Sequence, residues 1–145
     1  MPPMSDPDDV LAANRAFYEA FEARDLDAMS DVWEHDDRVT CTHPGWGVLR
    51  GWGKVAASWM ALFQGPQQMQ FILTDERVAI EGDVAWVTVD ENILEQDAGA
   101  TVASVNIFVR RGAALLPEDP AFIGSPLEAI RTAIPRPGTL ARSCV

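Results

Sequence analysis

The spacing of apolar residues predicts three helices in the first half of the chain. An apolar stripe with helical periodicity spans residues 10–21, behind a serine, proline and acidic residues at 5–8 that can start a helix. Asp25 is a candidate cap for a second helix. A third apolar stripe spans residues 52–63 and ends before Gly65, which favours a break.

A short strand is predicted between the second and third helices, at residues 38–43. Alternation puts Val39, Cys41 and His43 on one apolar face, so we expect His43 to point inward. The stretch 43–59 holds three of the five tryptophans, four glycines and one of the two histidines. Such a density of aromatic and polar groups predicts the rim of a pocket.

After residue 66 the hydrophobic period changes from a helical one to two, which predicts strands. Residues 70–80, 84–94 and 101–110 are the candidate strands, and residues 81–83 form a hairpin turn between the first two. The second strand carries Glu91 on an otherwise apolar face, and the third puts Asn106 and Phe108 on one face. Helices followed by antiparallel strands predict an α+β fold.

The composition changes near Gly112. The acidic excess lies in residues 1–112, whereas half of the ten prolines lie in residues 113–145. Prolines interrupt residues 115–123 and argue against a central strand there. A capping-box pattern starting at Ser125 predicts a short helix over 126–134. We therefore expect a folded domain at 1–112 and an atypical proline-rich tail at 113–145.

Composition also narrows the classes of function. The formal net charge of −11 argues against a nucleic acid or an anionic membrane as partner, because both need clustered Lys and Arg. The chain has neither a long apolar run nor a signal-peptide pattern. Cys41 and Cys144 lie too far apart for a metal-binding pair, and no glycine-rich phosphate loop occurs. These features predict a cytoplasmic protein without a metal or a cofactor.

The arrangement of these elements resembles the nuclear transport factor 2-like (cystatin-like) superfamily, and in particular its small bacterial SnoaL-like proteins. The resemblance covers residues 8–111. The segments that carry it are Phe17-Tyr18 with Phe21, Trp33, His43-Pro44-Gly45-Trp46, Gly51, Ser58-Trp59, Ala85-Trp86-Val87 and Asn106-Ile107-Phe108. It implies a cone-shaped, curved antiparallel β-sheet wrapped around three N-terminal helices, with an apolar cavity at one end. It also implies a homodimer built on the outer sheet face.

The tail departs from this resemblance. Proteins of this kind are expected to end with one more aromatic strand that completes the sheet and lines the cavity, so the final strand is doubtful here. One hypothesis is that the tail beyond Gly112 arose from a shifted reading frame or a recent replacement. Translation of the coding DNA in its other two frames tests the simple frameshift.

The candidate catalytic residues are one histidine and one of two adjacent carboxylates. His43 can act as a general base or hydrogen-bond a substrate carbonyl, or it can simply be a strand-end histidine satisfied by the backbone. Glu91 on its apolar face is a candidate acid or base, since burial favours the neutral carboxyl. A bulge would put Asp90 in that place instead.

The candidate ligand-binding residues are three aromatic residues and one amide. Trp46 and Trp59 can stack on a flat ligand or pack in the core. Tyr18 can donate a hydrogen bond to an oxyanion, although its helical stripe also fits core packing. Asn106 can orient a polar group of the ligand.

These residues leave three functions open. The first is binding of a small apolar or carbonyl-containing molecule in an apolar pocket. The second is cofactor-free acid–base catalysis, as by an isomerase, cyclase or dehydratase. The third is a dimeric association domain like that of calcium/calmodulin-dependent kinases, in which the cavity is incidental.

Overall fold

Three helices form the first layer of the computed structural model, which describes residues 6–66, 68–94, 99–110, 122–124 and 131–135. Helix α1 spans Asp6–Ala23, α2 spans Leu26–Asp31 and α3 spans Trp52–Gln64. The Asp25 side chain accepts a hydrogen bond of 3.0 Å from the Ala28 amide, as expected of an N-cap. All three predicted helices are therefore confirmed.

A small hairpin joins α2 to α3. Strand β1 (Thr40–Cys41) pairs antiparallel with β2 (Leu49–Arg50). The first of these lies inside the predicted strand at 38–43 but is shorter, and the second was not predicted. Gly51 follows with φ of 87°, a conformation that favours glycine, and its amide donates to the Val39 carbonyl at 2.8 Å. The hairpin thus sets where α3 begins.

Three long strands form an antiparallel meander, as predicted. Strand β3 spans Gln70–Glu81, β4 spans Val84–Leu94 and β5 spans Gly99–Arg110. Strands β4 and β5 pair without a shift, but β3 carries a β-bulge at residues 75–76, where two residues oppose one of β4. The fold is therefore α+β, with helices first and an antiparallel sheet after them.

The structure corrects the prediction for the tail. Strands β6 (Phe122–Gly124) and β7 (Arg131–Pro135) both pair antiparallel with β5. The predicted helix over 126–134 is wrong at residues 131–134, and its remainder lies outside the described residues. The open edge of β5 offers a row of backbone hydrogen bonds, which outweighs a local capping signal. The sheet thus continues where its final strand was in doubt, while the domain division at 112 and the frameshift stay predictions.

The core lies between α1 and the inner face of the sheet. Aromatic rings from three elements meet there edge-on, with Phe21 4.8 Å from Trp59 and 4.7 Å from Phe71 between ring centroids. Phe17 contacts Trp59 at 5.6 Å. The same inner face carries the polar residues of the candidate site.

Candidate functional site

Glu91 lies on the inner face of β4, with 1% of its surface exposed. It shares that face with the buried Val87 and Val89, as the alternation predicted. Asp90 lies on the opposite face, where it pairs with Thr74 and Ala103. The alternative that put Asp90 in the place of Glu91 is wrong, because the bulge occurs in β3 and leaves β4 regular.

Tyr18 and Asn106 join Glu91 in one buried cluster. The Tyr18 hydroxyl donates to Glu91 Oε1 at 2.5 Å, and Asn106 Nδ2 donates to the same hydroxyl oxygen at 2.9 Å. Tyr18 is 3% exposed and Asn106 is 7% exposed. The structure therefore brings three of the predicted site residues together from α1, β4 and β5.

Two residues that were not predicted extend this cluster. Asn106 Nδ2 donates to Asn14 Oδ1 at 3.0 Å, and Asn14 Nδ2 donates to Glu76 Oε2 at 2.7 Å. Asn14 is fully buried on α1, whereas Glu76 is exposed and sits in the bulge of β3. The bulge lets Glu76 reach Asn14 of α1. We call these five residues, Glu91, Tyr18, Asn106, Asn14 and Glu76, the polar chain.

The carboxylates at its two ends set the direction of every hydrogen bond in the polar chain. Tyr18 donates its one hydroxyl proton to Glu91, so its oxygen must accept from Asn106. At the other end Glu76 accepts from Asn14, whose oxygen must then accept from Asn106. Both ends require the same orientation of the Asn106 amide, which uses both of its N–H groups and leaves Oδ1 directed elsewhere.

This direction changes what Tyr18 can do. Donation to an oxyanion needs the same proton that Tyr18 gives to Glu91. Such a role therefore requires that this bond break first. As it stands, the polar chain presents acceptor atoms rather than donors to a bound molecule.

His43 belongs to a second polar group, near the β1–β2 hairpin. It is 2% exposed, as expected for an inward side chain, and its Nε2 lies 2.9 Å from Ser58 Oγ. The Ser58 hydroxyl donates to the Val55 carbonyl at 2.6 Å, so its oxygen accepts from His43 and Nε2 carries a proton. Cys41 Sγ lies 3.8 Å from the same nitrogen. In this arrangement His43 Nε2 is a donor and not a base.

Trp46 and Trp59 enclose the His43 ring but differ in exposure. Their ring centroids lie 5.0 and 4.7 Å from that of His43. Trp46 is 41% exposed at the hairpin, while Trp59 is fully buried in the aromatic core. Since Phe17 contacts both Trp59 and Tyr18, packed rings connect the His43 group to the polar chain.

A separate open groove of about 510 Å³ lies between α2 and α3. It is lined by Trp52 and Met60 among others, and none of the predicted site residues lines it.

Within the described residues, no three His, Cys, Asp or Glu side chains come together as a metal site requires. The described helices include none that is both long and apolar enough to cross a membrane. Absence of a cofactor and a cytoplasmic location stay predictions.

The site residues that were not predicted differ in how strongly the sequence indicates them. Glu76 could have been found, because the inward apolar positions of its strand switch from odd (Phe71, Leu73) to even (Val78, Ile80), which signals a bulge. Asn14 and Ser58 gave a weaker signal, a polar residue on a buried helical stripe. Their partners are distant in sequence, so no local pattern predicts them.

The comparison with protein families agrees with this fold. The family model of the SnoaL-like domain matches residues 10–114. The chain belongs to the SnoaL-like domain family. This confirms the resemblance to the nuclear transport factor 2-like superfamily.

Two solved structures show the same fold over nearly the whole chain. One is a proposed dehydratase of the nuclear transport factor 2-like family from Streptomyces avermitilis, 30% identical, with a TM-score of 0.74, covering 89% of this chain and 96% of that one. The other is a proposed calcium/calmodulin-dependent protein kinase type II association domain from Thiobacillus denitrificans, 26% identical, with a TM-score of 0.73, covering 92% and 99%.

A curated relative comes from a plant. The F-box protein SKIP8 of Arabidopsis thaliana is 30% identical over 99 residues, which are 68% of this chain and 42% of that protein. The chain thus spans less than half the length of this relative.

Proposed function

We propose that this protein binds a small, mostly apolar molecule whose polar group contacts Tyr18, Glu91 and Asn106. The observation that carries the proposal is the buried carboxylate of Glu91. It shares the inner sheet face with valines and accepts a hydrogen bond of 2.5 Å from the Tyr18 hydroxyl. Burial of a carboxylate costs free energy even when it is hydrogen-bonded, and an apolar residue would serve the fold better.

The surroundings support an apolar ligand body. The inner face next to Glu91 carries Val87, Val89 and Val102, and Tyr18 packs on Phe71 with ring centroids 5.5 Å apart. Ligand sites in proteins commonly combine apolar walls with a few converging polar groups. Because the polar cluster is enclosed, entry of a ligand requires displacement of part of its cover.

A thermal-shift screen against apolar alcohols, ketones and aromatic acids tests the proposal. A ligand at 100 times its dissociation constant contributes about 2.7 kcal/mol, or roughly 5–10 °C in a domain of this size. We expect Glu91→Gln to abolish the shift and Asp90→Asn, the adjacent carboxylate on the opposite sheet face, to retain it. Equal shifts in both variants, or none in the wild type, would refute the site.

Acid–base catalysis at the same site is a second candidate. Two observations favour it: the short Tyr18–Glu91 hydrogen bond, and the 30% identity to a proposed dehydratase over 89% of the chain. Glu91 would remove a proton next to a carbonyl group. Replacement of a general base typically costs about 10²–10⁴-fold in rate. The test is turnover of a hit compound by each variant. If the Glu91→Gln protein still turns the compound over and the Asp90→Asn protein does not, Glu91 does not have this role.

A homodimer is a third element of the proposal. The outer sheet face exposes Ile72, Trp86 and Leu94 at 54%, 37% and 39%, and the kinase association domain at 26% identity offers a precedent for association. Sedimentation equilibrium should give twice the chain mass, and Trp86→Glu should shift the protein towards monomer. An unchanged mass in that variant would move the interface away from this face.

A further inference from the structure

Ser104 is a buried hydroxyl that has no assigned role. It lies on β5 two residues before Asn106, on the same inner face, and is 3% exposed. Among the described residues its Oγ has no hydrogen-bond partner. Since the large majority of buried side-chain polar atoms in proteins have a hydrogen-bond partner, this unpartnered hydroxyl needs an explanation.

Asn106 presents a complementary atom beside it. Both N–H groups of its amide are used, one on Asn14 and one on Tyr18, and within the described part of the chain Oδ1 accepts no hydrogen bond. Residues two apart on a strand place their side chains on one face about 6–7 Å apart. A single polar group of a ligand can therefore contact both Ser104 Oγ and Asn106 Oδ1.

We infer that the polar group recognised here is a hydroxyl, carried by an apolar alcohol, phenol or enol. This inference rests on the proposed function and specifies the class of its ligand. A hydroxyl donates one hydrogen bond and accepts others, so it can donate to Asn106 Oδ1 and accept from Ser104 Oγ–H. Within the described part of the chain, neither of these two atoms has a hydrogen-bond partner in the protein.

Other polar groups fit this pair of atoms less well. A ketone only accepts, which leaves Asn106 Oδ1 unsatisfied, and a protonated amine only donates, which leaves the Ser104 proton without an acceptor. A carboxylate also only accepts, and the Glu91 carboxylate on the adjacent strand repels it. A site of this kind rejects an analogue that lacks the matching hydrogen-bonding group.

The test is a calorimetric titration with four compounds that share one apolar body: 2-decalol, 2-decalone, decalin-2-carboxylate and 2-aminodecalin. We expect the alcohol to bind about 3- to 10-fold more tightly than the ketone, the range set by one hydrogen bond. If the ketone, the carboxylate or the amine binds as tightly as the alcohol, the inference is wrong while the proposed binding site stands. If none of the four binds, the proposed function fails with it.

Ser104→Ala separates a ligand contact from a structural role. Removal of an unsatisfied buried hydroxyl should leave the free protein as stable as the wild type or more stable. It should also reduce the preference for alcohol over ketone to near unity. The control is Thr88→Ala on the outer face of β4, which should keep the preference. An unchanged preference in Ser104→Ala would overturn the inference.

Discussion

At the scale of single residues, the central feature is a buried hydrogen bond between a phenol and a carboxylate. Tyr18 donates to Glu91 at 2.5 Å, and both side chains are nearly fully enclosed. Hydrogen bonds to charged groups contribute about 1.5–3 kcal/mol, and a buried charge that loses a donor is costly. The pair should therefore matter to stability as well as to binding.

We predict that Tyr18→Phe lowers the free energy of unfolding by about 1.5–3 kcal/mol, because Glu91 loses its donor. In a Glu91→Gln background the same change should cost less, since a neutral amide needs the donor less. Urea unfolding of the four proteins gives the coupling between the two sites. A coupling of zero would mean that the two side chains do not act together.

Ser58 offers a second residue-scale prediction. It accepts from His43 Nε2 at 2.9 Å while donating to Val55, so Ser58→Ala leaves a buried imidazole N–H without its acceptor. We expect a loss of about 1–3 kcal/mol in the free energy of unfolding. Ser30→Ala on α2, whose hydroxyl contacts the exposed His35, is the matched control and should cost less. Equal losses would contradict the tautomer assigned to His43.

The residue positions of the site were predictable only in part. Alternation along β4 and β5 was enough to place Glu91 and Asn106 on the inner face. Their meeting with Tyr18 depends on contacts across 73 and 88 positions of the chain, which periodicity does not encode. The orientation of the Asn106 amide follows once either carboxylate end of the polar chain is known.

At the scale of elements, local signals predicted the helices and the three long strands, but the local capping signal at Ser125 predicted a helix where residues 131–134 form a strand. Helix caps, glycine breaks and the period-two runs predicted α1 to α3 and β3 to β5, because each signal lies within the element itself. Strand β7 was taken for a helix since its stability comes from pairing with β5, about 30 residues earlier in the chain. The bulge in β3 was missed although its change of parity is visible in the sequence.

One element-scale contact joins the ends of two helices. Arg24 follows α1 with φ of 53°, and its Nη2 donates to the carbonyls of Phe63 and Gly65 at the end of α3. Terminal carbonyls of a helix have no partner within it, so the guanidinium supplies two of the missing donors.

We predict that Arg24→Met lowers the free energy of unfolding by about 1–3 kcal/mol, through loss of two charge-assisted hydrogen bonds. Arg24→Lys should fall between this variant and the wild type, because an ammonium keeps the charge but not the planar fork. Chemical denaturation measures both. Wild-type stability in Arg24→Met would show that water replaces the guanidinium without cost.

At the scale of the whole molecule, an ion pair ties the start of the first helix to the end of the third long strand. Arg110 donates to both carboxylate oxygens of Asp6, at 3.2 and 2.9 Å. The hydrogen bond from Arg110 lowers the pKa of Asp6 below its usual 3.8. The pair is partly exposed, so its contribution is small and sensitive to salt.

The lowered pKa of Asp6 determines how the stability contributed by the Asp6–Arg110 pair changes with pH. The folded pKa lies below the unfolded value, so the stabilisation is present in full above pH 3.8 and is lost as the pH falls through the folded pKa. We predict that Asp6→Asn is less stable than the wild type near neutral pH, and that the difference vanishes in strong acid. Urea unfolding across pH 2–7 measures it, with Asp27→Asn as an exposed control. A difference that grows in acid would have the wrong sign.

The central claim is that a small ligand binds at the inner sheet face, against Tyr18, Glu91 and Asn106. A crystal structure with the best compound from the thermal-shift screen tests it most directly. We expect the polar group of the ligand within hydrogen-bonding distance of Asn106 Oδ1, with its apolar body against Val89 and Val102. A ligand found instead in the groove between α2 and α3, against Trp52 and Met60, would contradict the claim.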